Sequence, residues 1–474
     1  MSKNLNILFL ASEADPFVKV GGLGDVAGSL PLALHALPDV PLDVRLVIPF
    51  HNAIRIESFP MQREVEFTIL REGVDVPVEV FSTQLQGLTV YLISGEPIRH
   101  FETIYDTDPL VDSEKYIFFS LAALEMARRL RWRPHVVHAN DWHTAVSLYA
   151  IKQRQAAEDR FWSRTKTVLS VHNLGYMGAG SEDVLTAYGL PPVDAPELPA
   201  WARHVPMPLG LWAADKIVAV SPTYAEEIQT PEYGCGLERF LLSRRKSVIG
   251  IINGIDNAVW DPSTDTFLPV NFTAKKLPIR NGIKSALQSQ FGLPVDPAIP
   301  LLGMVTRMDQ QKGVDLAVGA LRSLPDEPWQ AILLGTGNAE LEVAARHLEI
   351  DFPNRVTAVL RYDGKLAHQI YGGSDMLLMP SRYEPCGLAQ MIAMRYGCIP
   401  VARATGGLRD TITEGRTGFL FAEASALAMS AALLRALATF RDQEDWQVMQ
   451  ESAMAENFSW ERSAFKYAAL YRLL

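Results

Sequence analysis

Short runs of Val, Ile and Leu recur along this chain with longer amphipathic stretches between them, and that alternation restricts the fold more than any other feature. Runs that are apolar throughout, rather than apolar at every second residue, are strands buried on both faces of a parallel sheet, with helices as the crossovers. In the first half the strand candidates are Asn6–Leu10, Val44–Pro49, Leu88–Ile93, His135–Ala139, Thr167–Val171, Lys216–Val220 and Val248–Ile252, with helical periods at Ser113–Leu130 and Thr144–Gln153. In the second half Leu301–Val305, Ala331–Leu334, Arg355–Leu360, Met376–Met379 and Ile399–Ala402 repeat the theme. Residues 257–300, with the turn Asp261-Pro262-Ser263 and a helical piece near Ile283–Phe291, separate the two series. The expected fold class is α/β: two Rossmann-like, doubly wound domains with the ligand in a cleft between them, beyond the carboxyl ends of the strands.

A chain of 474 residues exceeds what one core usually supports, which agrees with two domains. With 48% hydrophobic and 21% charged residues, the composition is that of a globular protein and excludes a low-complexity or repeat architecture. A net charge of −10 argues against a nucleic-acid or anionic-membrane surface, so neither is expected as a partner. Cys235, Cys386 and Cys398 make no disulfide framework or Cys-x-x-Cys pair, which fits a reduced, cytoplasmic setting. The apolar run Ile7–Ala11 is too short for a signal peptide, and no window approaches the ~18 apolar residues of a membrane span.

Three glycine-bearing turns follow strand candidates. Lys19-Val20-Gly21-Gly22-Leu23-Gly24-Asp25 lets backbone N–H groups approach an anion or a sugar, with Lys19 as a nearby cation, and is equally readable as a tight strand-to-helix turn. It has neither the dinucleotide spacing nor a P-loop Lys-Ser/Thr, which argues against an NAD-dependent oxidoreductase. The strand Met376–Met379 runs into Pro380-Ser381-Arg382-Tyr383-Glu384-Pro385-Cys386-Gly387-Leu388. There a carboxylate, Glu384, for sugar hydroxyls would stand beside the N–H groups of Cys386 to Leu388 for a phosphate. Thr405-Gly406-Gly407-Leu408-Arg409-Asp410 offers a second such turn after Ile399–Ala402.

Arg307 and Lys312 follow the strand Leu301–Val305, where both can hold a diphosphate, Arg by its planar fork and Lys as a point charge. No metal site is expected: His135 and His138 fall at odd spacing on one strand, and no zinc motif is completed with His143. Cys386 lacks an arguable His partner and is read as packing or backbone donation rather than as a nucleophile.

Taken in order, Lys19–Asp25, the run His138-Ala139-Asn140-Asp141-Trp142-His143-Thr144-Ala145, Val171-His172-Asn173, Val220–Tyr224, Asn253-Gly254-Ile255-Asp256 with Trp260-Asp261-Pro262, the Arg307/Lys312 loop, Glu384–Gly387 and Ala404–Asp410 closely resemble the bacterial glycogen synthases and plant starch synthases. Each motif is weak alone, but the ordered set spans nearly the whole chain. The resemblance implies a GT-B-type retaining glycosyltransferase. Residues 1–256 would be the acceptor-side domain with the glycine-rich loop, 257–455 the donor domain, and 456–474 a terminal helix returning to the first domain.

It further implies a metal-independent enzyme without a cofactor, using ADP-glucose as co-substrate to extend an α-1,4-glucan at its non-reducing end. By the same resemblance Glu384, His172, Asp141, Arg307 and Lys312 are catalytic positions. Lys19, Gly21, Gly22, Asn253, Cys386, Gly387, Leu388, Thr405, Gly406 and Gly407 join Arg307, Lys312 and Glu384 around the donor, and Asp25 and Tyr105 lie on the acceptor side.

Two departures matter. Many retaining glycosyltransferases carry a second glutamate eight positions after the first, and Ile392 stands there; the synthases also lack that acid, so Ile392 narrows the assignment. The family usually shows Phe, then Lys with small residues, before an Ala-Asp pair, where this chain has Trp201-Ala202-Arg203-His204-Val205-Pro206-Met207-Pro208-Leu209-Gly210-Leu211-Trp212. That leaves open a related transferase with another donor base or acceptor. A non-catalytic glucan-binding homologue is the other alternative.

Overall fold

The computed structural model describes residues 4–38 and 40–474. By contact the chain forms two units, Met1–Gly254 with Trp460–Leu474 and Ile255–Ser459.

In the first unit nine strands form one sheet: β1 (Leu5–Leu10), β2 (Leu42–Pro49), β3 (Gln62–Arg71), β4 (Val74–Leu85), β5 (Leu88–Ser94), β6 (Val136–Asn140), β7 (Lys166–Val171), β8 (Lys216–Ala219) and β9 (Val248–Gly250). Their spatial order is β3-β4-β5-β2-β1-β6-β7-β8-β9. The central strand β1 is buried from Ile7 to Leu10 without alternation, as a strand covered on both faces must be. From β1 the chain passes to β2, jumps to the edge strand β3 and returns through β4 to β5 beside β2, then crosses to β6 on the other side of β1 and winds outward the opposite way. The reversal of strand order lies between β1 and β6, where a doubly wound sheet binds its ligand.

The sheet is not purely parallel, contrary to the expectation of strands joined by helices alone. β3, β4 and β5 form an antiparallel meander. Its two connections, Glu72-Gly73 and Gln86-Gly87, are two-residue turns with positive φ at both positions, matching the twist of the flanking strands. β3 is the edge strand and carries Arg63, Glu64, Glu66 and Arg71, charges that discourage pairing with another strand.

The helix Trp460–Leu473 packs into this unit's core against the helix Gly22–His35, burying Trp460, Ala464, Tyr467, Ala468 and Tyr471 at helical spacing. Burying large apolar side chains stabilises the fold by about 1.5–3 kcal/mol each. The helix is also tied by hydrogen bonds: His138 Nδ1 lies 2.6 Å from Tyr471 Oη, and its Nε2 lies 2.7 Å from Ser170 Oγ. The segment 201–212 has its second half in the helix Pro206–Ala213, with Met207, Leu209 and Leu211 in the core. A Cβ on Gly210 would come within 2.5 Å of Ala145 Cβ, so a glycine is what lets this helix approach its neighbour Trp142–Ala156.

The second unit holds six parallel strands: β10 (Leu301–Val305), β11 (Gln330–Leu334), β12 (Val356–Val359), β13 (Met376–Met379), β14 (Ile399–Arg403) and β15 (Phe419–Phe421). β15 goes beyond the sequence expectation. The order β12-β11-β10-β13-β14-β15 reverses between β10 and β13. Pairing across that step is short, from Leu302↔Met376 to Gly303↔Leu377, so the two strands part toward their carboxyl ends. At their opposite ends the buried Asp375 accepts Leu301 N–H at 2.8 Å and pairs with Lys284 Nζ at 2.7 Å, fixing the helix Arg280–Gln290 to the sheet.

Candidate active site

Where β10 and β13 part, the second unit has a hollow. It is lined by the strand ends Met304 to Thr306 and Leu378 to Met379, and by Lys312, Ser381, Glu384, Gly387, Leu388 and Ala389. Lys312, from the loop after β10, reaches across to Glu384, from the loop after β13. Its Nζ lies 2.8 Å from Oε1 and 2.7 Å from Oε2. Ser381 Oγ donates to Oε2 at 2.8 Å. Glu384 is only 4% exposed, so these partners supply the hydrogen bonds that water would otherwise give its carboxylate.

The backbone around Glu384 is set by glycines. Gly313 (φ +66) caps the helix Val314–Arg322, and a Cβ there would lie 2.2 Å from Pro380 O. A Cβ on Gly406 (φ +44) would lie 1.9 Å from Glu384 O, and one on Gly407 would lie 2.0 Å from Cys386 O. Gly407 N–H donates to Glu384 O at 3.0 Å. The turns at 384–388 and 405–407 are therefore interlocked through their backbones. Gln390 Nε2 holds the carbonyls of Cys386 (2.9 Å) and Gly387 (3.0 Å), and Cys386 is buried as a packing residue. Ile392 is buried on the helix Ala389–Arg395. Arg307 stands outside the hollow, 66% exposed, with its guanidinium 3.4 Å from Asp309.

The first unit gathers its polar residues where its own strand order reverses, in the loops after β1 and β6. The glycine loop folds back onto a residue that the sequence does not flag as functional, Glu13. This carboxylate, 1% exposed, accepts the N–H of Val20 and, at 3.2 Å, that of Gly21. Part of the loop's anion-seeking N–H set is thus satisfied internally. Burial raises the Glu13 pKa despite those bonds. Lys19 Nζ lies 2.5 Å from Asp25 Oδ1, so the cation and the acid flanking the glycines close the loop on itself. Tyr105 Oη lies 2.8 Å from Ser12 Oγ, beside Glu13. The Tyr105 segment is clamped by the fully buried Lys115, which donates to the carbonyls of Thr103 and Ile104 and to Asp112.

Asp141 follows β6 at φ +55, a costly conformation for a residue with a side chain. There it heads the helix Trp142–Ala156, while its Oδ1 accepts His172 N–H at 2.7 Å at the end of β7. Burial pushes its pKa up to about 7. Asn140 donates its amide N–H to Leu10 O at 2.9 Å, which leaves its carbonyl oxygen to accept from His172 Nε2 at 3.0 Å. His172 is therefore protonated on Nε2, and burial lowers its pKa to about 4, so it is neutral at pH 7.

Asn253 Oδ1 and His143 Nδ1 are among the buried polar atoms of this unit that lack a hydrogen-bond partner. Most buried polar atoms of a folded protein are paired, so an orphan on a residue that the sequence places near the sugar is notable. His143 packs among Tyr105, Tyr116 and Trp142, with ring centroids 4.3 to 5.0 Å away. His135 instead accepts the Asn6 N–H at 2.9 Å in the sheet.

Two Rossmann-like units, each with its polar residues at a reversal of strand order, are the architecture of a GT-B glycosyltransferase. Comparisons with known proteins agree. Residues 6–243 match the starch synthase catalytic domain family model, and residues 288–451 match the glycosyl transferases group 1 model. The glycogen synthase of Anaeromyxobacter sp. (strain Fw109-5) is 41% identical over 487 residues, covering 99% of each chain. That of Bacillus anthracis is 36% identical over 486 residues, covering 99% of this chain and 100% of its own. Among solved structures, the catalytic domain of starch synthase IV from Arabidopsis thaliana, bound to ADP and acarbose, superposes with a TM-score of 0.89 at 31% identity, covering 99% of each chain. A sucrose-phosphate synthase from Thermosynechococcus elongatus shares the fold, with a TM-score of 0.62 at 19% identity and 99% coverage of each chain. The chain belongs to the glycogen and starch synthase family of glycosyltransferases.

Proposed function

We propose that the chain transfers glucose from ADP-glucose to the non-reducing end of an α-1,4-glucan with retention of configuration. The observation that carries this reading is the Lys312–Glu384 pair, set across the strand reversal of the second unit and lining its hollow. A nucleotide sugar needs a cation where the departing diphosphate gathers charge, and Lys312 with the exposed Arg307 supplies it. The reaction is accordingly assigned no metal and no other cofactor. In the transfer, the bond from glucose C1 to the phosphate oxygen breaks and one from C1 to an acceptor hydroxyl oxygen forms on the same face. The hydroxyl proton leaves with a diphosphate oxygen. Positioning and leaving-group stabilisation then carry the rate, and no carboxylate becomes glucosylated.

Glu384, held by Lys312 and Ser381, is placed to accept hydroxyl protons of the donor glucose. With Nε2–H given to Asn140, His172 keeps an Nδ1 lone pair for a sugar hydroxyl. Asn253 Oδ1, buried without a partner, has the same use. Tyr362 is 89% exposed in the loop after β12, which neighbours β11 and lies two strands from β10, and offers a face on which a base can stack. The ADP held by the starch synthase IV relative supports adenine as that base. Among the described residues Cys235, Cys386 and Cys398 form no disulfide, in keeping with a reducing cytoplasm, and no helix is long and apolar enough to cross a membrane.

The test is proton NMR of the reaction as it runs. New α-1,4 anomeric signals at the first moment of turnover support the reading; a β-anomeric product, or a glucosyl ester on Glu384 or Asp141 by mass spectrometry, contradicts it.

A further inference from the structure

The loops after β10 and β13 meet at Lys312 and Glu384, and they meet a second time through Arg382. Its guanidinium takes Asp315 with both arms, Nη1 donating to Oδ1 at 2.9 Å and Nη2 to Oδ2 at 2.7 Å, while Nη1 also donates to Gln310 O at 2.9 Å. The backbones run together at the same place. Arg382 N–H donates to Gln311 O at 2.7 Å, and Gln311 Nε2 donates to Tyr383 O at 3.2 Å. On the other side of Lys312, Gly313 lies so close to Pro380 that a Cβ would come within 2.2 Å of Pro380 O. Lys312 is therefore held between two positions of its own loop that are fastened to the loop of Glu384. Arg403, at the end of β14, donates to Arg382 O and, at 3.0 Å, to Ala422 O, which adds the strand that leads into the 405–407 turn.

This clasp lies outside the lining of the hollow. The side chains of Arg382 and Asp315 are 34% and 38% exposed, and an ion pair so open to water adds little to stability. Its geometry is the more informative property. A planar fork can grip a carboxylate with two arms and still give a third N–H to a carbonyl, so one side chain fixes both the direction and the distance between two loops. Lys312 cannot do this for itself, because an ammonium on a flexible stem accepts many orientations.

We propose that Arg382 is a positioning residue for the transfer reaction: by clasping Asp315 and Gln310 it sets the β10 loop against the β13 loop, and so places Lys312 relative to Glu384. The proposal rests on the reading of that pair as part of the donor site. It acts through Lys312 and Glu384, without contact between Arg382 and the substrate.

Steady-state kinetics with ADP-glucose and a maltooligosaccharide test it. Arg382→Met should lower kcat about tenfold to a hundredfold, the loss expected when a reacting group is misplaced by about 1 Å, with little change in Tm and none in the acceptor KM. Arg382→Lys, which keeps the charge without the fork, should recover part of the loss, and Asp315→Ala should reproduce much of it. The decisive comparison is in a Lys312→Met background, where adding Arg382→Met should slow turnover by less than a further twofold, since the group it positions is gone. Losses that multiply in the double variant, a normal kcat in Arg382→Met, or a kcat that falls only as far as Tm does would overturn the proposal. If the parent chain turns over no ADP-glucose, the transferase reading fails separately, and urea denaturation decides this one. The stabilising coupling between Lys312 and Glu384, from the cycle of Lys312→Met and Glu384→Gln, should correspond to a severalfold smaller change in the folding constant when Arg382 is Met. An unchanged coupling would overturn the proposal.

Discussion

Lys312 Nζ sits within 2.8 Å of both carboxylate oxygens of Glu384, so one cation from the β10 loop holds a buried anion from the β13 loop. Removing the two charges separately should therefore have unequal effects on stability. Lys312→Met leaves Glu384 buried with Ser381 as its remaining side-chain donor and should cost about 2–4 kcal/mol in chemical denaturation, the lower end reflecting Lys312's partial exposure. Glu384→Gln should cost less, and the double variant should recover most of the loss. Turnover should fall about 10²-fold or more in all three. Recovery of turnover in the double variant would mean that the pair is structural alone.

The glycine at 406 is required by space as well as by conformation. Gly406→Ala brings a Cβ within 1.9 Å of Glu384 O at a φ of +44, so the backbone carrying Glu384 must move. Because a misplacement of about 1 Å at a reacting centre can slow turnover by roughly two orders of magnitude, a loss of that size is expected, together with a lowered Tm. Gly415→Ala is the control: its φ is +70 but nothing lies within 4 Å, so it should cost only about 1–2 kcal/mol of backbone strain and leave turnover intact. Equal losses of activity would contradict the steric account.

Glu13 pins the loop that carries Lys19, through the N–H groups of Val20 and Gly21. Glu13→Ala should free that loop, speed tryptic cleavage after Lys19 several-fold, and weaken the apparent affinity for the nucleotide sugar in steady-state assays. Glu13→Gln keeps an accepting oxygen and should protect against trypsin nearly as well as the parent chain. Identical cleavage rates in all three would remove Glu13 from the account.

Much of this was legible in the sequence, and what was not has physical reasons. Fully buried strands such as β1 and β13 announce themselves as unbroken apolar runs. β3, at the sheet edge, mixes Gln62, Arg63, Glu64 and Glu66 with its apolar residues, and its turns use Glu-Gly and Gln-Gly rather than Asn-Gly, so neither strand nor turn signal is strong. β15 is three residues long and has no period at all. Lys312 and Glu384 were readable because each follows a strand. Glu13 was not, because its partners are backbone N–H groups seven and eight residues onward, and such pairing leaves no mark on residue type. The orphan atoms of Asn253 and His143 become visible only once burial is known.

His138 gives a pH dependence of defined sign. Burial lowers its pKa from 6.5 to about 3, so between those values the unfolded chain takes up a proton that the folded one refuses. Its contribution is complete above pH 6.5 and is lost as pH falls toward 3, by up to about 1.4 kcal/mol per pH unit. The stability difference between the parent chain and His138→Asn, measured by urea denaturation, should therefore be largest above pH 6.5 and shrink on acidification. A difference independent of pH would show that His138 titrates normally in the fold.

The most direct test of the whole account is to mix the purified chain with a maltooligosaccharide and either ADP-glucose or UDP-glucose, following chain length and nucleotide release together. The prediction is longer chains with one ADP released per glucose added, and little turnover with UDP-glucose. Release of nucleotide without elongation, or no turnover with either donor, would contradict it.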